Sequence, residues 1–232
     1  MLVIKHLALS YAPEKSVLED VNLELEQGNI HGLVGLNGSG KTSLLNCLCG
    51  GIAYQQGHVH FNNNLLKKED VIFLETNNYF YPNITGREYF RLFEALQPSF
   101  ALADWNDLFE LPLDEFIENY STGMKKKLAL MSVLSFSSPI MILDEPFNGV
   151  DMETVQLMKI IIGKLKASGR TILITSHILE SLVSICDTIS YLNNKQIQRT
   201  FNPQEYANIE LELFDLTNKQ NEERIDRLIK PE

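Results

Sequence analysis

Eight residues, GLNGSGKT from Gly35 to Thr42, carry the densest chemistry in the chain. They fit the pattern G-x-x-x-x-G-K-[ST], follow an apolar segment and precede a helix-like one, which is the context in which such a run cradles phosphate. Gly35, Asn37, Gly38, Ser39 and Gly40 offer backbone N–H groups with little bulk between them, and the helix that follows adds the partial positive charge of its N-terminus. Lys41 supplies a cation for the β- and γ-phosphates, and Thr42, beside Ser43, supplies a hydroxyl for a divalent metal. At average composition a chance match in a chain of this length is on the order of 1 in 100.

Two further segments end in groups that could serve the same site. MILDEP, Met141 to Pro146, is an apolar strand closing on two acids. A parallel sheet presents ligands at the carboxyl ends of its strands, so Asp144 can face the cradle and hold Mg²⁺ through water while Glu145 polarises an attacking water. ILITSH closes on Ser176 and His177, and an imidazole there can donate to a terminal phosphate. A fourth stretch, NYSTGMKKKL from Asn119 to Leu128, sets Ser121, Thr122, Gly123 and Met124 ahead of three lysines at the start of a helix-like run. It reads as a second anion-binding helix start. Side chains at three successive helix positions diverge, so Lys125, Lys126 and Lys127 read as a solvated helix start and the Ser and Gly as the grip.

Alternating apolar residues over 2–34 imply strands, ending in the buried run Ile30 to Val34. Thr42 to Leu48 reads as a helix closed by Gly50-Gly51. Short strands return over 52–74, with turns at Gly57 and at Asn62 to Asn64. From Asn83 to Asn119 aromatics, Leu and acids dominate, and Phe90, Phe93 and Leu96 stand at helical spacing, which implies a helical insert. Leu128 to Leu134, the strand Ile140 to Leu143, the helix carrying Val155, Met158, Ile162 and Leu165, and the strand Thr171 to Thr175 follow, then a helix and a strand through Ile185 and Ile189 to Leu192. Such alternation implies a parallel sheet covered by helices.

At 232 residues and 44% hydrophobic the chain can bury a substantial core as one large domain, one domain with an inserted subdomain, or two small ones. Its 20 Lys+Arg against 30 Asp+Glu, a net charge of −10, argues against a general nucleic-acid binder. Cys47, Cys49 and Cys186 show no metal-ligand pattern and read as buried thiols of a reducing cytosol. No apolar run approaches the ~20 residues that span a bilayer, and the start MLVIKHLALS lacks signal-peptide character, so the expectation is a soluble chain or one held at a membrane by another protein. His58-x-His60 reads as a surface strand pair, and Trp105 as core of the helical insert.

Taken in order, these motifs resemble the ATP-binding cassette ATPases of ABC transporters over roughly residues 2 to 200. In that resemblance Tyr11 takes the place of the aromatic that stacks on adenine, with Val17-Leu18 and Gly28 at the family spacing; Ser121 to Met124 take the place of the signature; Asp144 and Glu145 those of the metal and base positions; Asn148 to Asp151 that of the loop communicating across the dimer, with Asp151 its acid; and His177 that of the switch histidine. Thr122 and Met124 stand where the signature usually has Gly and Gln. A signature ending Gly-Met-Lys, together with TNNYFYPNITGRE, resembles the branch of ABC-2 and bacitracin-type exporters. Counting back from Tyr81-Pro82 puts Thr76, with Glu75 beside it, where the family carries a Gln toward the metal and the membrane partner.

The resemblance implies an α/β P-loop NTPase core with an antiparallel β-subdomain and an inserted α-helical subdomain at about 83–135. The ATPase domain would fill 1–202, with 203–232 a C-terminal extension forming a short helix or frayed tail. ATP and Mg²⁺ are the implied cofactors. Two copies would sandwich two MgATP, Ser121 and Gly123 of one reaching the γ-phosphate held by the other; an intact signature beside an intact Glu145 favours a homodimer and leaves a heterodimer open. An integral membrane permease on a separate chain would dock near 75–100, placing the chain in the cytoplasm against the inner face of the cell membrane, with no nucleic acid as partner. Two other readings stand beside export: a soluble cassette acting on ribosomes or DNA, against which the negative charge and the lack of a second cassette or coiled-coil insert weigh, and a nucleotide-binding regulator without turnover, against which Lys41, Asp144, Glu145 and His177 weigh.

Overall fold

In the computed structural model, which describes residues 1–94, 96–212 and Leu228, the sequence resolves into two sheets. β1 (Leu2–Ala12) pairs antiparallel with β2 (Lys15–Leu25) on one side and β4 (Gln56–Phe61) on the other, and β5 (Asn64–Leu65) completes a four-stranded sheet ordered β2-β1-β4-β5. The second sheet runs β10 (Gln196–Phe201), β9 (Thr188–Asn193), β3 (Ile30–Val34), β8 (Thr171–Thr175), β7 (Ile140–Asp144), β6 (Val71–Leu74). Only the β9/β10 hairpin in it is antiparallel.

The parallel strands read as unbroken apolar runs because both of their faces are covered. Along β7, Ile140 and Ile142 point into a core shared with β1, β2 and α1 (Lys41–Leu48), whereas Met141 and Leu143 point into a second core with the remaining helices. β8 alternates in the same way, Leu173 to the first core and Ile172 and Ile174 to the second. The second core is closed by α2 (Gly86–Glu94), α3 (Leu102–Phe109), α4 (Thr122–Leu134), α5 (Met152–Ala167) and α6 (Leu179–Val183). Fully buried Ile142 and Leu143 each contribute about 1.5–3 kcal/mol of transfer free energy.

Most of the expected elements lie where the spacing puts them, and three differ. The insert is two helices, and Leu96 lies beyond α2, exposed. Pro98 explains the stop: it has no N–H to donate and biases Gln97 away from helical geometry. β10 is an element the sequence reading lacks; its polar residues alternate weakly because it is an edge strand with one wet face, and Asn194 and Lys195, both at positive φ, make its hairpin turn. The C-terminal extension begins as a 3₁₀ turn, Pro203–Asn208, anchored by fully buried Ile209 and by Tyr206 donating to the Cys186 carbonyl. The rest of the expected tail, 213–227 and 229–232, lies outside the described residues. Trp105 stacks between Phe100 and Phe109 inside the insert, as its reading as core requires, and Cys47 and Cys49 are free thiols pushed by burial up to about 11 and about 12.

His31 ties the two edges of β3 into the fold. Its Nε2 lies 3.0 Å from the Glu26 carbonyl, which must accept, and its Nδ1 lies 2.7 Å from Thr188 Oγ1, so the neutral ring satisfies both partners. Burial lowers its pKa from the ordinary 6.5, against the pull of Asp187 and Glu26. Below about pH 6.5 the unfolded chain takes up a proton that the folded ring refuses, so stability falls with pH there, by at most ~1.4 kcal/mol per pH unit from this one group. The urea midpoint is expected to drop more steeply between pH 7.5 and 5.5 in the native chain than in His31→Gln; parallel slopes would contradict this account.

Candidate active site

The turn between β3 and α1 is shaped by two glycines. A Cβ on Gly35 would stand 2.3 Å from the Leu192 carbonyl of β9, and Gly40, at φ +106, caps α1 where a side chain would meet Leu18 and the Val17 carbonyl. No side chain caps that helix start, so the first-turn N–H groups stay open to an incoming anion. Lys41 is buried and folds back over the loop, its Nζ donating to the Gly35 carbonyl at 2.7 Å and the Leu36 carbonyl at 3.2 Å. Burial lowers its pKa, opposed by the carboxylates of Glu145 and Asp144. Ser39 Oγ is buried with no hydrogen-bond partner, one of two such side-chain atoms among the described residues. An orphaned hydroxyl inside a ring of backbone donors fits a phosphate group. Tyr11, exposed, approaches Ser43 with its hydroxyl 3.1 Å from Oγ, at the outer side of the same turn.

Because β7 and β8 are adjacent and parallel, and β8 also adjoins β3, their carboxyl ends open on that turn. Asp144, buried, takes hydrogen bonds from three hydroxyls: Thr175 Oγ1 onto Oδ1 at 2.5 Å, and Thr76 Oγ1 at 2.8 Å and Thr42 Oγ1 at 3.4 Å onto Oδ2. Oxygen donors of this kind, a carboxylate beside a threonine hydroxyl, suit Mg²⁺. Thr76 therefore reaches the carboxylate, whereas Glu75 is exposed.

Glu145 adopts a left-handed backbone, φ +51, that few non-glycine residues tolerate. Four contacts hold it: its N–H donates to Thr175 Oγ1 at 3.0 Å, its carbonyl accepts from Lys126 Nζ at 2.6 Å and from the Asn148 N–H at 3.2 Å, and its Oε2 lies 2.7 Å from His177 Nδ1. The carboxylate is largely buried and the imidazole half exposed.

Ser121 caps α4, its Oγ accepting from the Met124 N–H at 3.2 Å, and leaves its own hydroxyl hydrogen free. Ser121 and Thr122 are exposed, and Gly123 passes close to Gly149, whose carbonyl lies 3.6 Å from where a Cβ would sit. Asp151 caps α5, accepting from the Thr154 N–H and hydroxyl, both at 2.8 Å, and these bonds lower its pKa. The lysine run departs from the reading as a solvated helix start. Lys125 and Lys127 reach the carbonyls of Glu118 and Phe109, but Lys126 is buried against Glu145. The cause is helical geometry, since position 126 shares a face with the buried Leu130 and Val133, which the lysine triplet masks in the sequence.

Comparison with known proteins decides the family. The ABC transporter profile matches residues 18–148, and AlbC of Bacillus subtilis, which bears the name of an ABC transporter ATP-binding protein, is 31% identical over 93% of this chain and 98% of its own length. The chain belongs to the ABC transporter family. The cassette is also similar to the lantibiotic transport ATP-binding protein SrtF of Streptococcus pyogenes, 28% identical over 85% of this chain and 89% of SrtF. Its fold matches the dimeric post-hydrolysis structure of the ATP-binding cassette MJ0796 bound to ADP and Pi, with TM-score 0.76 at 20% identity over 88% of this chain and 99% of that one. At that identity the likeness is one of fold.

In the cassette, Thr175 joins the two acids, donating to Asp144 while accepting from the Glu145 N–H, and it is fully buried. The sequence reading passed over it because an inward-facing Thr in an apolar strand looks like filling. Thr175→Val leaves a buried carboxylate oxygen and a buried N–H without partners, and is expected to lower unfolding free energy by about 1–3 kcal/mol, with Thr175→Ser near the native value. Urea titration of the three proteins checks it, and a Val variant as stable as the native chain would refute it.

Proposed function

We propose that this ATPase cassette is the ATP-driven subunit of an ABC exporter, acting as a homodimer on a separate membrane-spanning permease. The observation that carries the reading is the meeting of the cradle after β3, Asp144 and Glu145 at the end of β7, and His177 after β8, with Glu145 and His177 in contact at 2.7 Å. Residues 1–202 form the ATPase domain, with 83–135 as its helical subdomain and 203–232 as an extension.

In this reading Tyr11 lies under the adenine, and Gly35, Asn37, Gly38, Ser39 and Gly40 surround the phosphates with Lys41, Thr42 and Ser43. Thr42 and Asp144 would hold Mg²⁺, which would supply Lewis-acid withdrawal of charge from the phosphate oxygens. Glu145 accepts the proton of the attacking water, and His177, hydrogen-bonded to Glu145, donates to the terminal phosphate. Ser121 and Gly123, with Thr122 and Met124 shaping the turn, present the open N-terminus of α4 to nucleotide on the other copy, and Asp151 lies on the loop between the two sites. Thr76 stands in the metal-facing loop in place of an amide, with Glu75 turned to the outside.

A groove of about 240 Å³ between β6, α2 and α4 supports the permease as partner; it is lined by Phe73, Glu75, Asn78, Tyr79, Tyr89 and Ser132. Tyr79, a lining residue that is three-quarters exposed, meets the exposed Tyr81 edge to face, and two exposed aromatic rings of this kind suit a protein partner. No helix among the described residues is long and apolar enough to cross a membrane, so a spanning partner is a separate requirement of transport. The name of SrtF, a lantibiotic transport ATP-binding protein, supports transport as the task, and the signature ending Gly-Met-Lys supports export as its direction. The net charge of −10 weighs against a cassette that works on nucleic acid.

Glu145→Gln is expected to cut single-turnover hydrolysis by about 10²–10⁴-fold while keeping ATP binding and yielding an ATP-dependent dimer on size exclusion. Ser121→Ala is expected to weaken that dimer more than ATP binding by the monomer. A purified cassette with no ATPase activity and no ATP-dependent dimer, even as Glu145→Gln, would overturn the proposal, and co-purification with nucleic acid in place of a membrane protein would favour the soluble reading.

A further inference from the structure

Lys126 has no part in the roles assigned above, yet it is one of the few buried charges in the chain. It lies five residues beyond Ser121 on α4, about 7.5 Å along the helix axis from the cap. Its ammonium goes to a main-chain carbonyl, that of Glu145, at 2.6 Å. That carbonyl belongs to a residue whose φ of +51 is uncomfortable for an L side chain, and it is also bound by the Asn148 N–H at 3.2 Å. The position of the Glu145 carboxylate follows from its backbone angles, and its contact with His177 at 2.7 Å depends on them. A charge-assisted hydrogen bond is about twice as strong as a neutral one, and a buried site shields it from water.

We infer that Lys126 is a positioning residue: it clamps the Glu145 carbonyl so that the carboxylate is held in its catalytic orientation, and it joins the signature helix of one chain to the base of that same chain. This rests on the reading of Glu145 as the base. The link gives α4 two ends with different jobs, its N-terminus meeting the other copy's nucleotide and its second turn gripping the base of its own site. A shift of α4 on dimer closure is thereby transmitted to Glu145 through one bond, without passing through the sheet. The Lys126 ammonium donates to the Glu145 carbonyl and not to the phosphate turn, so its loss alters turnover and leaves nucleotide affinity alone.

Lys126→Met keeps the apolar stem and removes the donor; Lys126→Gln keeps a neutral donor on a shorter stem. Single-turnover hydrolysis, affinity for a fluorescent ATP analogue and urea midpoints are measured for both and for the native cassette. The Met variant is expected to hydrolyse at least tenfold more slowly with analogue affinity within twofold of native, and the Gln variant to fall between Met and native. Hydrogen exchange at the amides of 145–148 is expected to quicken in the Met variant and less in Gln. Should the Met variant not fold, the Gln variant carries the test through the same rate-against-affinity split and the same amides. Hydrolysis within twofold of native in a folded variant, or equal loss of rate and affinity, would overturn the inference; absence of hydrolysis in the native cassette would instead overturn the reading of Glu145.

Discussion

A buried carboxylate held by three hydroxyls is the constraint around which the site is arranged. Asp144 ends β7 almost out of solvent, and a bare charge there would be too costly without partners. Thr175 comes from the neighbouring strand, Thr42 from the first turn of α1 and Thr76 from the loop after β6, so four elements must be in register for one side chain to be satisfied. The parallel order β3-β8-β7-β6 delivers that register, because parallel neighbours bring like ends together. The same hydroxyls that stabilise Asp144 hold its carboxylate oxygens beside the first turn of α1.

The two helix starts in the chain are built differently, and the difference fits different tasks. α1 begins on a left-handed glycine with no side-chain cap and an orphaned serine hydroxyl nearby, which leaves its donors open for a ligand bound by the chain itself. α4 begins on a serine that already serves its own helix through the Met124 N–H, and its exposed Ser121 and Thr122 face outward. That exposed second start supports the proposal that it meets nucleotide held by a second copy. Its neighbour Gly149 and the cap Asp151 place the loop after β7 beside it.

Glu145 carries a strained backbone at the place where chemistry is proposed. Glu145 at positive φ is held from four directions, by Thr175, Lys126, Asn148 and His177, so its geometry is fixed by packing, and it cannot relax without loosening those contacts. Other non-glycine residues at positive φ include Asn62, Asn63 and Asn194 at turns, where residue type makes it cheap, and His6, Asp20 and Glu110, which none of the proposed chemistry uses.

The glycine spacing of the phosphate turn, the apolar runs that end in Asp144 and His177, and the helical repeat of Val155, Met158, Ile162 and Leu165 were all legible in the sequence, because each is a local pattern with a fixed period or a fixed backbone demand. The halt of α2 before Leu96 was legible too, in Pro98, had the proline been weighed against the aromatic spacing. What no local pattern carries is which side chain completes another's hydrogen bonds across the sheet. Thr175 stood only as the end of a strand, Thr76 in the place of an amide and Lys126 as one of three solvated cations; the registers of β7 with β8 and with β6, and the face that α4 turns inward, made the first two partners of Asp144 and the third the clamp on Glu145. Strand and helix periods are set by each residue's own neighbours, but satisfaction of a buried charge depends on residues tens of positions away, and only the folded chain brings those together.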